Sequence, residues 1–193
     1  MSVTPPRPVS SVSQLKALTH PLRVRILYAV QAESAATASR IGQLVDESPA
    51  SVSYHLRKLA DAGFVQEAPE HGSDGRERWW RVPDGGFTWT SSDFDATPEG
   101  RTTERAARRL LVDNQFRRRQ EFDSDPDRWG PDWVQSAFST DYVLKMTPEQ
   151  HAEMSREIQS VIEKWRTQAE AASETAAAGQ HVMVFAHGFP FEP

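Results

Sequence analysis

Apolar positions in the first third of the chain recur at helical spacing in short segments. Leu15 and Leu18 mark a first helix. Thr19-His20-Pro21 reads as a second helix start, because a proline at the first helical position forfeits no hydrogen bond. Leu22, Ile26, Ala29 and Val30 follow on one face, and Gln31–Ser34 reads as a turn. Thr37 can cap a short helix over 38–45, in which Ile41, Leu44 and Val45 are apolar. Ser48-Pro49 repeats the start signal, and Gly63 suits the stop, so a helix should run from Pro49 to about Ala62. On a helical wheel Val52, Leu56, Leu59 and Ala60 form its buried stripe. Ala50, Ser51, Tyr54, Arg57 and Lys58 fall opposite, with Ser53 and His55 on the flanks.

The period then changes. Phe64–Ala68 and Arg76–Val82 alternate like strands about a glycine-bearing turn at His71–Gly75, which makes a hairpin. Asp84–Pro98 is a breaker-rich connector whose Phe87, Trp89 and Phe94 suit packing on the body. Pro98 opens a helix to about Phe122, with Ala107, Leu110, Leu111 and Asn114 as its stripe. Its arginines could form a second nucleic-acid patch, but Asp113, Glu121, Asp123, Asp125 and Asp127 lie close at hand, and ion pairing on a solvated face is the expected role. Tyr142–Lys145 reads as a strand. Thr147-Pro148, with Gln150, opens a helix to about Ala171, striped by Met154, Ile158, Val161, Ile162 and Trp165. His181–Ala186 alternates like a last strand. The expected class is mainly α with small β. The expected division is a disordered lead (1–10), a helix-and-hairpin unit (11–83), a connector (84–98) and a helix-strand-helix-strand region (99–193).

Composition narrows the function. The 193 residues include no cysteine, which excludes a disulfide scaffold, a thiol nucleophile and a thiolate metal site, and fits a reducing cytosol. No apolar run exceeds five residues, far short of the roughly 18–20 of a membrane helix, and the N-terminus lacks a charged-then-apolar signal pattern. A cytoplasmic location is expected. The net charge of −5 argues against coating nucleic acid by bulk positive charge. The charge is uneven, however: residues 1–65 carry seven Lys+Arg against four Asp+Glu, and residues 86–193 carry twelve against eighteen. That asymmetry suits a first part that meets a polyanion.

Two short helices, a tight turn and a third helix with a small, polar, then basic outer face describe a helix-turn-helix. The DNA major groove admits one helix, and small residues at its start let the backbone approach base edges. The candidate DNA-binding residues are Ser48, Ser51, Ser53, Tyr54, His55, Arg57 and Lys58, with Arg76 and Arg78 on the hairpin placed for phosphates or the minor groove. A solvated helix face is the plain alternative.

Gln14–Val82 resembles the winged helix-turn-helix of arsenic-repressor-like bacterial transcription factors. The carrying segments are LKALTHPLRVRILYAV, SRIGQLVDESPASVSYHLRKLADAGFV and the wing GSDGRERWWRV. The resemblance implies a homodimer that binds double-stranded DNA at a near-palindromic operator, usually as a repressor, reading bases with the helix of Ser51, Ser53, Tyr54, His55 and Arg57. The chain departs from the metal-sensing branch: it lacks the cysteine pair, and neither His151 with Glu153 and Glu157 nor His181 with His187 forms a ligand pattern. No metal site and no cofactor are expected. Larger family members carry C-terminal extensions, which implies dimerisation, ligand sensing or both. The aromatic residues of the second half could line a cavity for an apolar small-molecule effector, or could be core or interface. No Gly-rich phosphate loop, GxSxG elbow or HExxH occurs, so no catalytic residues are assigned. The competing function is a winged-helix protein-interaction module that does not touch DNA.

Overall fold

The computed structural model of the chain describes residues 5–72, 77–173 and 179–192. Chain contacts divide it into two compact units, residues 1–125 and 126–193.

The first unit begins with β1 (Arg7–Pro8), followed by α1 (Val12–Ala17), α2 (Pro21–Glu33), β2 (Ala36–Thr37), α3 (Ala38–Val45) and α4 (Pro49–Asp61). It continues with β3 (Gln66–Glu67), β4 (Trp79–Arg81), β5 (Phe87–Thr88) and α5 (Pro98–Ser124). Each helix starts where a side chain can accept from an orphan backbone N–H. Ser11 and Gln14 form a reciprocal capping box on α1, His20 Nδ1 accepts from Leu22 N–H, Thr37 caps α3 and Ser48 caps α4. Gly63 follows α4 with φ 81°, a left-handed conformation that glycine adopts without a Cβ penalty.

One core holds this unit together. Leu15, Leu18, Ile26, Val30, Ile41, Val45, Val52, Leu56, Leu59 and Phe64 are all but fully buried. Leu44, apolar in the same short helix, is 41% exposed: the neighbouring Ile41 and Val45 take the inward positions of a helix only eight residues long. β2, β4 and β3 form an antiparallel sheet in that order, pairing Ala36 with Trp80 and Glu67 with Trp80. The hairpin is therefore present, with shorter strands than the alternation suggested, and β2 was invisible as a strand because only two of its residues pair.

The start of the described chain is not a free lead. β1 pairs in parallel with β5, and Val9 is buried in the common core. The connector is likewise bound to the body: Phe94 is buried, and Phe87 and Trp89 pack on the core. α5 contributes Ala107 to that core and packs on α1 and α2. The contact boundary therefore falls after Asp125, and α5 belongs with the N-terminal elements rather than with residues 126–193. The expected pairing of its arginines is observed, Arg118 with Glu121 at 3.0 Å and Arg119 with Asp123 at 2.8 Å.

The second unit contains α6 (Pro131–Ser136) and α7 (Pro148–Ser173), the latter opened by a Thr147–Gln150 capping box. Among its described residues there is no strand. Tyr142–Lys145 and His181–Ala186 are irregular, which corrects the helix-strand-helix-strand expectation. A segment of aromatic and β-branched residues becomes a strand only where a neighbouring backbone supplies hydrogen bonds, and Tyr142, Val143 and Val182 instead stand exposed. The chain as a whole is mainly helical with a small sheet. No helix among the described residues is long and apolar enough to cross a membrane.

Candidate nucleic-acid interface

α3 and α4 are joined by Asp46, Glu47 and Ser48. Asp46 adopts φ 52° to end α3, and Glu47 N–H donates to Gly42 O at 3.0 Å. The turn is tight because residue 42 has no side chain: a Cβ there would lie 2.6 Å from Glu47 O. Val52, Leu56 and Leu59 then bury one face of α4. The face left outward is the one the wheel assigned. Tyr54 is 55% exposed, Arg57 and Lys58 are exposed, and Ser51, Ser53 and His55 are half-buried at its margins.

Each candidate side chain has a definite local setting. Ser48 Oγ accepts from Ser51 N–H at 3.2 Å, so its oxygen is occupied as a cap while its hydroxyl proton can still be donated outward. Lys58 Nζ lies 5.9 Å from the Tyr54 ring centroid, one helical turn on, and 3.8 Å from Asp61. Arg57 Nε donates to Ser53 O at 3.2 Å, which leaves its terminal nitrogens to reach outward. On the wing, Arg78 pairs with Glu67 at 3.2 Å. Both side chains are well exposed, and such a pair is weak enough to be exchanged for a phosphate. Arg76 lies outside the described residues.

His55 turns away from the open face. Its ring sits 4.6 Å from that of His20 and 5.2 Å from that of Tyr54, and its buried Nδ1 has no hydrogen-bond partner. Burial, then the His20 and Arg23 charges, hold its imidazole below the ordinary value, with Glu47 opposing. His20 is held down by burial and by Arg23. The Arg23 guanidinium is itself lowered by burial, and Tyr54 partly offsets this. Arg23 Nη2 donates to Lys16 O at 3.2 Å, and its buried Nε is unpartnered. The sequence reading missed that the start of α2 delivers His20 and Arg23 beside α4. Thr19-His20-Pro21 signalled only a helix start, and nothing local said which helix it would face.

Residues 18–67 match a family model described as a helix-turn-helix domain. The chain carries a helix-turn-helix domain. The matched residues include the helix-turn-helix pair itself, α3 and α4. No curated protein matches the chain. Among solved structures it is similar to Lactococcus lactis ZitR, as the C30AH42A mutant in apo form, with 14% identity, 78% of this chain and 85% of that chain covered and a TM-score of 0.31. It is also similar to wild-type ZitR in complex with DNA, with 15% identity, 80% and 75% covered and a TM-score of 0.24.

Beyond the helix-turn-helix, the remaining candidate chemistry is sparse. Among the described residues no three His, Asp or Glu side chains gather as a metal site would need. A depression of about 520 Å³ beside the α3–α4 turn is lined by polar Ser39, Gln43, Asp46, Glu47 and Ser48. Of the second-half aromatics that could line a ligand cavity, Trp133, Phe138 and Trp165 are exposed, whereas Phe122 and Trp129 are half-buried.

Proposed function

We propose that this chain is a homodimeric, sequence-specific DNA-binding transcriptional regulator of the arsenic-repressor-like type, acting as a repressor. The observation that carries the reading is the outer face of α4, where Tyr54, Arg57 and Lys58 stand exposed over a buried stripe within the matched helix-turn-helix. Ser51 and Tyr54, near the helix start, are the base-reading candidates. Arg57, Lys58, Arg76 and Arg78 are the phosphate candidates, and Ser48, Ser53 and His55 support the face from its edges. A two-fold dimer would set two copies of α4 about 34 Å apart on a near-palindromic site. Leu15 is fully buried in its own core and cannot serve a dimer contact. Leu110 and Leu111 are half-buried, whereas Ile158, Ile162 and Trp165 are exposed and can.

Selection of bound genomic fragments, followed by binding measured on the selected operator and on scrambled DNA at several salt concentrations, tests this. Tyr54→Ala should alter the preferred site and cost about 1–3 kcal/mol at the base concerned. Arg78→Ala should weaken all sequences alike and flatten the log-affinity against log-salt slope by roughly one unit per lost contact, doubled in a dimer. If none of these variants changes binding while circular dichroism shows them folded, the interaction-module reading takes precedence.

A further inference from the structure

α7 carries an apolar seam that stands exposed among the described residues. Met154, Ile158, Val161 and Trp165 are spaced four, three and four residues apart, the spacing by which two helices pack along a shared stripe. Met154 is half-buried, whereas Ile158 is 37%, Val161 56% and Trp165 63% exposed, with Ile162 beside them. A contiguous exposed stripe of this kind marks an interaction surface.

The charges beside the seam identify what covers it. Arg156 pairs with Glu153, and Arg166 pairs with Glu163 at 2.5 Å, each three residues apart on the helix. Glu157 and Lys164 have no opposite charge three or four residues away and form no ion pair among the described residues. Both occupy the same position in the repeat, one residue before Ile158 and one before Trp165. In an antiparallel helix pair these positions face each other; in a parallel pair they face the other flank, where Ile162 and Ala169 stand.

We propose that α7 pairs antiparallel with α7 of a second copy of this chain, which rests on the homodimer reading above. The two-fold axis passes between Gln159 and Ser160. Met154 of each copy then packs on Trp165 of the other, and Ile158 packs on Val161, giving apolar layers with the bulky residues at the ends. The same operation brings Glu157 of each copy to Lys164 of the other, within about two residues of helix rise, twice over. One sequence thus supplies both halves of the charge match, which is the property of a self-complementary surface.

The absence of cysteine makes any introduced thiol unique. Full-length Met154→Cys and Trp165→Cys chains, co-refolded and mildly oxidised, should give the mixed disulfide, with little cross-linking of either variant alone. Glu157→Lys should weaken the dimer roughly tenfold by sedimentation equilibrium, since it replaces two attractions with two repulsions. The double variant Glu157→Lys with Lys164→Glu should recover it. Self-linked Trp165→Cys, or a double variant no tighter than the single, would overturn the antiparallel pairing and leave the homodimer standing. A wild-type monomer at micromolar concentration would remove both, and operator binding read separately reports on the DNA interface.

Discussion

His20 and His55 meet ring against ring where the start of α2 lies beside α4. His20 Nδ1 accepts a backbone N–H, which requires that nitrogen to be unprotonated, and burial disfavours charge on either ring. With both imidazoles held below 6.5, the unfolded chain binds protons more readily than the folded one between the depressed values and 6.5. The stability this pair contributes is full above pH 6.5 and is lost as pH falls through the depressed values. Urea midpoints measured from pH 7.5 to 5.0 should therefore fall with acid in the native chain, and less steeply in His55→Gln. An unchanged slope in that variant would show that the acid sensitivity arises elsewhere. The two rings were separate features in the sequence, one a helix cap and the other a helix flank; only the crossing of α2 and α4 made them a pair.

At the scale of elements, two close approaches set the frame. The α3–α4 turn depends on Gly42, where a methyl group would meet the backbone oxygen of Glu47 rather than a movable side chain. Gly42→Ala should cost about 1–3 kcal/mol by urea denaturation and weaken operator binding along with it, because α4 is displaced. The second approach binds the connector to α5. Glu104, 3% exposed, accepts from Trp89 Nε1 at 3.4 Å, from Ser91 Oγ at 3.2 Å and from Arg108 Nε at 2.6 Å, while the Arg108 guanidinium lies 5.7 Å from the Trp89 ring. Glu104→Ala strips a buried carboxylate from these donors and should cost on the order of 2 kcal/mol. If connector and α5 were independent, the denaturation midpoint would not move. A wheel assigns Glu104 to α5 but cannot anticipate a buried acid, because its donors come from a segment without a period.

Across the whole molecule, residues 1–125 and 126–193 differ in kind. The first unit closes its core, drawing Val9, Phe94 and Ala107 in with the helices around Leu56. In the second, large apolar side chains from Phe138 to Phe191 remain exposed. A chain ending at Asp125 should accordingly melt cooperatively within a few degrees of the full-length protein's first transition, since it keeps every buried contact of that core. It should sediment as a monomer and bind a single half-site more weakly than the full chain binds the operator. A truncated chain that fails to fold, or that remains a dimer, would contradict this division.

Helix starts, the inward stripes of α2 and α4 and the outer face of Tyr54, Arg57 and Lys58 were determined locally. A cap, a proline and a 3.6-residue period act within one turn of chain, so the sequence by itself specified them. What it could not specify depends on partners distant in the chain. β2 exists because Trp80 pairs with it, β1 because residues 87–88 run alongside, and α5 joins the first unit because α1 and α2 receive it. The segments at 142–145 and 181–186 carry the composition of strands without a backbone to bond to, so they form none. Periodicity sets which face a residue takes; whether that face meets anything is decided by tertiary structure, because burial and sheet hydrogen bonds are properties of pairs of segments.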